Sequence, residues 1–419
     1  MKNSLFVVAT LLAVTMFPGA ASAVAPRLVM TELESKSLGS DSSIDFKHHA
    51  SQSNGNGVYK NDDSELYYYR GVVDNNIIYA NRCWQIMGNT ADGAIKILYN
   101  GTPSEAEACE NTGDASSAIL NAKYGNSNNG SYVESNAKQE IDTWFSENLS
   151  DYIDELADTA FCNDTNHTAA HQRIASDGLP TFACDEAHQM TVANGKLSYP
   201  VAMITADELM FSGAGYGIAP ADGEGYYADT GKFQTMTQQS ANKMFYNNSI
   251  HYMNRSSGTS YSANIRPVIA IASDSFYILG GSGTKADPFR SIVVPPVPHD
   301  VKSLEESLVV QDDVSSAIFG DTVKFTIDTT RKLKSITFTG DDGEILDIET
   351  TLEDAGLYSF HMINQNVNIN VAYVEEPKPT PAKENPKTSD SLPKLALGLA
   401  LAVIGVVIST RSALASLKN

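Results

Sequence analysis

Cys83-Trp84-Gln85-Ile86-Met87, the turn Gly88-Asn89-Thr90-Ala91-Asp92-Gly93, and Ile95-Lys96-Ile97-Leu98-Tyr99 decide the fold. Two apolar, aromatic runs on either side of a Gly/Asn/Asp turn read as paired strands. Leu66-Tyr67-Tyr68-Tyr69 and Asn76-Ile77-Ile78-Tyr79 precede them in the same style, so the segment is an aromatic β-meander.

Downstream, one long helix is expected between about Tyr132 and Ala157. Ile141, Trp144, Phe145, Leu149, Tyr152, Ile153 and Leu156 fall on one stripe, with acids opposite. Ser198 to Ile204 reads as a strand. Thr205 and Glu208 then have the spacing of a capping box, which starts a short helix. Residues 211–262 are rich in Gly, Tyr, Ser and Asn with weak periodicity, a composition suited to binding loops. Tyr216, Tyr226, Tyr227, Tyr246, Tyr252 and Arg255 are their candidate ligand-binding residues. Ile265 to Ile271 closes the domain as a buried strand. Val294-Pro295-Pro296-Val297-Pro298 is a stiff linker. Residues 301–375 alternate with period 2 between Gly and Asp turns, the pattern of a small all-β sandwich.

The chain has 419 residues, 42% of them hydrophobic, enough for more than one core. Its 50 Asp+Glu against 29 Lys+Arg give a formal net charge of −21. That balance argues against nucleic acid as a partner, because phosphates are held by Lys and Arg.

Both ends read as addresses. Lys2, the apolar run Leu5 to Phe17 and Ala21-Ser22-Ala23 form a secretory signal over residues 1–23, cleaved after Ala23. Residues 24–57, rich in Ser, Asp, Asn, Gly and Lys, read as a leader, disordered from about Ser35. The pair His48-His49 lies in that polar leader and reads as solvated loop rather than a metal site. At the far end a Pro-rich spacer, 376–384, precedes Asn385-Pro386-Lys387-Thr388-Ser389, an apolar segment over 395–410 and a thin basic tail. Leu395 to Ile408 would rise about 21 Å as a helix, short of a roughly 30 Å hydrocarbon core, so a temporary membrane stop fits better than a permanent span.

Four cysteines, at 83, 109, 162 and 184, all fall in the central region. An even count in a secreted chain implies disulfides, with three connectivities open; sequential pairing, Cys83–Cys109 and Cys162–Cys184, closes loops of moderate length. The competing reading takes Cys162, His167, His171, Cys184 and His188 as zinc ligands. Asp222-Gly223-Glu224 and Asp92 offer oxygens to calcium, although short acidic turns are usually just solvated. Gly-x-Ser-x-Gly, His-Glu-x-x-His and Gly-x-x-x-x-Gly-Lys are absent, and no catalytic residue, cofactor or resident metal is assigned.

The order of motif, apolar stretch and basic tail resembles the sorting signal of Gram-positive surface proteins, in a variant with Asn-Pro-x-Thr. The resemblance implies that a sortase cleaves after Thr388 and joins it to the cell-wall peptide. Ser389 departs from the usual Gly. Leu66-Tyr67-Tyr68-Tyr69-Arg70-Gly71, Cys83-Trp84-Gln85-Ile86, Lys96 to Gly101, Asp158 to Asp164, Tyr199 to Glu208 and Ile265 to Ile269 together resemble an extracellular domain of Firmicutes surface proteins. That domain is similar to the formylglycine-generating, sulfatase-modifying family, with its C-type-lectin-like fold. The implied fold class is α+β: a C-type-lectin-like head over 58–293, a linker over 294–300 and a β-sandwich stalk over 301–375, which looks like the repeat modules of bacterial surface proteins. Formylglycine-generating enzymes use a pair of late cysteines, and no Cys follows Cys184. The expectation is therefore a non-catalytic, cell-wall-anchored adhesin whose head binds an extracellular glycan or protein. A surface hydrolase or zinc enzyme and a structural coat protein are the alternatives.

Overall fold

Trp84 stands opposite Tyr99, and Ile86 opposite Ile97, so the central hairpin forms as its alternation requires. Its strands Arg82–Asn89 and Ala94–Tyr99 lie at the heart of an eleven-stranded, mostly antiparallel sheet in the computed structural model. The structure describes residues 25–110, 120–123, 125, 131–164, 166–229, 231–240, 242–248, 252–255, 262–304 and 308–375. The proposed signal peptide with Ala23, the wall spacer, and the sorting motif Asn385 to Ser389 with its apolar segment lie outside the described residues. Among the described residues no helix is long and apolar enough to cross a membrane. The chain is β-rich with few helices.

On one edge Arg82–Asn89 pairs with Asn76–Tyr79 and touches Tyr67–Arg70 at Gly88. A Cβ at Gly88 would stand 2.3 Å from the Tyr67 carbonyl oxygen, so only glycine lets these strands meet. On the other edge Ala94–Tyr99 pairs with Pro267–Ala272, which in turn holds Val201–Met203. Val29, Ile77, Trp84, Ile97, Ile269 and Ile271 pack into one core with the helix Asn136–Asn148.

That helix is shorter than its apolar stripe predicts. Ser135 caps its start, accepting from the Lys138 amide at 3.0 Å, but Leu149 leaves helical geometry at φ −136°. The chain continues as a 3-10 turn, Ser150–Glu155. Ile141, Trp144, Phe145 and Leu149 are buried, whereas Ile153, beyond the break, is 40% exposed. Trp144 is core, its ring 4.8 Å from Tyr99.

Residues 211–262 are more regular than their composition suggests: Phe233–Ser240, Lys243–Asn247 and Met253–Arg255 build a second, five-stranded sheet with Ser262–Ile265 and Leu120–Lys123. The expected strand 265–271 is correspondingly two strands. Ser262–Ile265 belongs to the second sheet and Pro267–Ala272 to the first, with Arg266 at the corner between them. Arg266 is fully buried, and it is satisfied by neutral groups. Its guanidinium donates to the Tyr99 carbonyl at 2.9 Å, the Ala228 carbonyl at 2.9 Å, Gln85 Oε1 at 2.8 Å and Asn100 Oδ1 at 3.1 Å. Burial lowers its pKa to about 9.

The leader is folded, contrary to its polar composition. Val29–Lys36 is a helix whose Val29 and Leu33 are wholly buried in the main core. Burial would raise the Glu32 carboxyl, but hydrogen bonds and charges from Lys36 and Arg27 outweigh it and hold the pKa below its usual value. Ser37–Ser40 joins the sheet beside Gly57–Lys60. Arg70, also buried, reaches the carbonyls of His48 at 3.2 Å and Met210 at 2.7 Å and so ties the leader down. His49 is 1% exposed rather than solvated. Its Nε2 bonds to the Ile218 carbonyl at 2.7 Å, and the Gly215 amide donates to its Nδ1 at 3.2 Å. This arrangement suits only the neutral ring, because a proton on Nδ1 would face another N–H.

Residues 294–298 carry no regular structure. Beyond them two sheets, of five and four strands, share a separate core of Val323, Phe325, Phe338, Phe360, Ile369 and Val371.

Two consequences can be measured. Arg266→Met leaves four buried acceptors unmatched and should cost about 3–5 kcal/mol, read as a lowered denaturation midpoint. Burial lowers the His49 pKa, with Glu224 and Asp229 opposing and Arg70 assisting. Its stabilising contribution is thus present above the unfolded value near 6.5 and is lost as pH falls through the folded one. Tm should drop on acidification from pH 7, and less so in His49→Gln; equal drops in both proteins would refute the assignment.

Candidate functional site

A cleft of about 920 Å³ opens where four segments converge, one of them the stretch 61–68 with Asp63 and Tyr68, and Tyr227 and Thr237 complete its lining. The central hairpin supplies Met87 to Asp92 and Lys96. The helix Ala206–Phe211 supplies Asp207, Glu208 and Phe211, preceded by Thr205. The third wall runs from Thr159 to Gln189 and carries Asp164, Arg173 and Phe182. The Cys162–Cys184 disulfide staples this wall, and Cys83–Cys109 forms the second bridge. Both are the sequential pairs, and each contributes about 3 kcal/mol by restricting the unfolded chain.

The capping box forms as its spacing predicts: Thr205 Oγ1 accepts from the Glu208 amide at 3.0 Å, and Glu208 Oε2 accepts from the Thr205 amide at 2.8 Å. This fixes the Glu208 carboxylate, whose Oε1 takes the Lys96 ammonium at 2.8 Å. Lys96 also sits 5.0 Å over the Phe161 ring. Next to Glu208, Asp207 receives Arg173 through two nitrogens, at 3.1 and 2.8 Å, and the Thr181 amide at 2.9 Å. Burial pushes the Asp207 carboxyl up, against the pull of the guanidinium and the amide. The ring of Phe182 stacks on Phe211 at 3.9 Å and stays half-buried, while Tyr68 meets Phe211 edge-on at 4.8 Å.

Of the six loop residues expected to bind ligand, Tyr227 lines the cleft. The Gln85 amide grips its carbonyl at 2.7 Å, and its ring is 8% exposed. Burial, reinforced by the Glu208 charge, pushes its phenol far up, so it stays neutral. Among the described residues its hydroxyl has no hydrogen-bond partner.

The structure does not bring the other five to this place. Tyr226 is 3% exposed, stacked on His49 at 5.7 Å and bonded to Asn247. Tyr216 meets Phe245 edge-on at 5.9 Å. Tyr246 lies under Lys232 at 5.5 Å, and Tyr252 is half-buried. Arg255 ends a strand opposite Phe245, and its side chain lies outside the described residues.

The proposed zinc donors are also divided. Cys162 and Cys184 are bonded to each other, and His171 Nδ1 pairs with Gln239 at 2.8 Å. His188 lines the cleft and His167 does not. Of the oxygens weighed for calcium, Glu224 accepts from the Ala221 amide at 2.7 Å and Asp92 from the Thr159 hydroxyl at 2.8 Å. Among the described residues no group of three or more His, Cys, Asp or Glu is placed to hold a metal.

Sequence reasoning missed Lys96, Arg173, Phe182 and Asp207 as parts of a site. The capping box was the available signal, since it places Glu208 at a fixed point beside its helix. Both deep carboxylates are engaged by cations, Glu208 by Lys96 and Asp207 by Arg173. The chain matches no protein-family model, no curated protein and no solved structure.

Replacing Cys162 and Cys184 together by Ser should lower stability by about 3 kcal/mol. It should also speed amide exchange across 163–183 ahead of the hairpin strands. Uniform acceleration over the whole head would show that the staple does not act on this wall.

Proposed function

We propose that this chain is a non-catalytic surface protein whose head binds an extracellular ligand in the cleft, and that it acts as an adhesin. The observation that carries this reading is the cleft itself. It is large enough for a small ligand or a side chain of a macromolecule, and aromatic faces and fixed polar groups lie side by side in it. Its deep charges are already paired, as suits recognition. The two disulfides agree with an oxidising compartment, as does the secretory pattern of residues 1–23. The resemblance of residues 385–419 to a sorting signal supports attachment to the wall peptide, with the two-sheet module standing as a stalk. For the head we carry forward the C-type-lectin-like fold. What supports it is the resemblance of the motifs quoted above, from Leu66 to Gly71 through Ile265 to Ile269.

The test is a screen of the full chain against immobilised glycans and matrix proteins, with calcium and with chelator. Saturable binding to one ligand class is expected, and Ala183→Trp, which fills the cleft from its exposed rim, should weaken it. A ligand consumed during the assay would replace the adhesin by the hydrolase. An absence of any binding would leave the coat protein. On cells, digestion of purified wall should release a fragment ending at Thr388 joined to wall peptide; an intact chain extractable by detergent would contradict sortase anchoring.

A further inference from the structure

We propose that the cleft takes an uncharged, polyhydroxylated ligand, a neutral glycan, with the Tyr227 hydroxyl as a hydrogen-bonding anchor and the Phe182 ring as its apolar platform. This rests on the binding-module reading above and narrows its ligand class.

Three observations meet at this place. First, Tyr227 is more than nine-tenths buried, it lines the cleft, and its hydroxyl is unspent among the described residues. A phenol can donate and accept at once, so it matches an alcohol, which does the same. Beside it the Lys96 ammonium has three protons and spends one on Glu208. Donors for a second hydroxyl oxygen therefore remain.

Second, the charges are graded with depth. The deep groups cancel as Lys96 with Glu208 and Arg173 with Asp207. Asp164 also meets Arg173, at 3.4 Å, and the more exposed lining adds Asp63, Asp92 and Asp185, so among the described residues the cleft holds six carboxylates against two Lys/Arg cations. An anionic ligand is repelled on approach. A cationic one is welcomed by the outer carboxylates and then meets Lys96 and Arg173 deeper in. An uncharged ligand rich in hydroxyls meets neither obstacle.

Third, one face of Phe182 is covered by Phe211 at 3.9 Å, and the residue is only half-buried. Tyr68 meets the same ring at a tilt, 5.8 Å away, and it is the part of Phe182 left exposed in the cleft that would take the C–H face of a sugar ring, while the ring hydroxyls turn toward Tyr227, Lys96 and the carboxylates.

The test titrates the full chain with neutral oligosaccharides, with sialylated and sulfated ones, and with an oligolysine peptide, at low and at physiological salt. Saturable binding to a neutral oligosaccharide, little changed by salt, is expected. Tyr227→Phe should weaken it roughly ten-fold, the worth of one well-made hydrogen bond. Tm should stay level or rise, because among the described residues the hydroxyl has no partner to lose. A residue with a merely structural role would instead move Tm together with affinity. Binding confined to anionic oligosaccharides or to oligolysine overturns the inference, as does unaltered affinity in Tyr227→Phe. A protein ligand blocked by Ala183→Trp, with no glycan bound, overturns it while the binding-module reading stands. Failure to bind any ligand class defeats both.

Discussion

A guanidinium with no carboxylate partner among the described residues sits where the two sheets of the head diverge. Arg266 cannot shed its proton at physiological pH even at its lowered pKa near 9, so the fold must surround it with acceptors. It finds them on three separate stretches of chain: Tyr99 and Asn100, Gln85, and Ala228. An unmet buried charge would be costly, so these stretches are not free to drift apart. Apolar contacts supply most of the driving force for collapse, but they are tolerant of small shifts. The four hydrogen bonds are directional and select one arrangement among the collapsed ones.

The same constraint reaches the cleft. Gln85 accepts from Arg266 through its oxygen and, through its nitrogen, holds the carbonyl of Tyr227. Ala228, the next residue, accepts from Arg266 directly. The backbone of 227–228 is therefore pinned from the core, and the Tyr227 ring occupies its place beside Glu208 as a consequence. Arg70 plays a parallel part on the leader side, gathering carbonyls of His48 and Met210. Met210 lies in the short helix that also carries Asp207 and Glu208. Two buried arginines thus locate two components of the cleft without lining it.

This explains which features were legible in the sequence. The hairpin at 83–99 and the capping box at 205–208 are local, since alternation and a three-residue spacing state them completely. Of the three connectivities the sequence leaves open, the sequential one, which closes loops of moderate length, is the one formed. The leader was misread because polar composition averages over positions. Val29 and Leu33, four residues apart, are enough to dock one helix, and Glu32 between them is buried only because Arg27 and Lys36 meet it. The strand read across 265–271 was misread for a related reason. Its apolar content is continuous, but Arg266 must face the interior, and Pro267 has no N–H to continue a ladder, so the chain changes sheets there.

The site was harder to read, and the adjacent pair Tyr226 and Tyr227 shows why. Tyr is amphipathic, and its presence in a Gly- and Asn-rich stretch is equally compatible with packing and with recognition. Neighbours distant in sequence make the choice. His49 stacks on the Tyr226 ring and Asn247 takes its hydroxyl, while Gln85 holds the carbonyl of the next residue at the cleft, where among the described residues no group claims the hydroxyl. Composition sees two equivalent residues, and the structure gives each a different environment. A residue's availability for recognition is set by which of its polar atoms the fold leaves unspent. In this head the Tyr226 hydroxyl is spent on Asn247, 21 residues along the same stretch, while the backbone of Tyr227 is held by a glutamine in the central hairpin, and neither pairing can be read from the composition of 211–262.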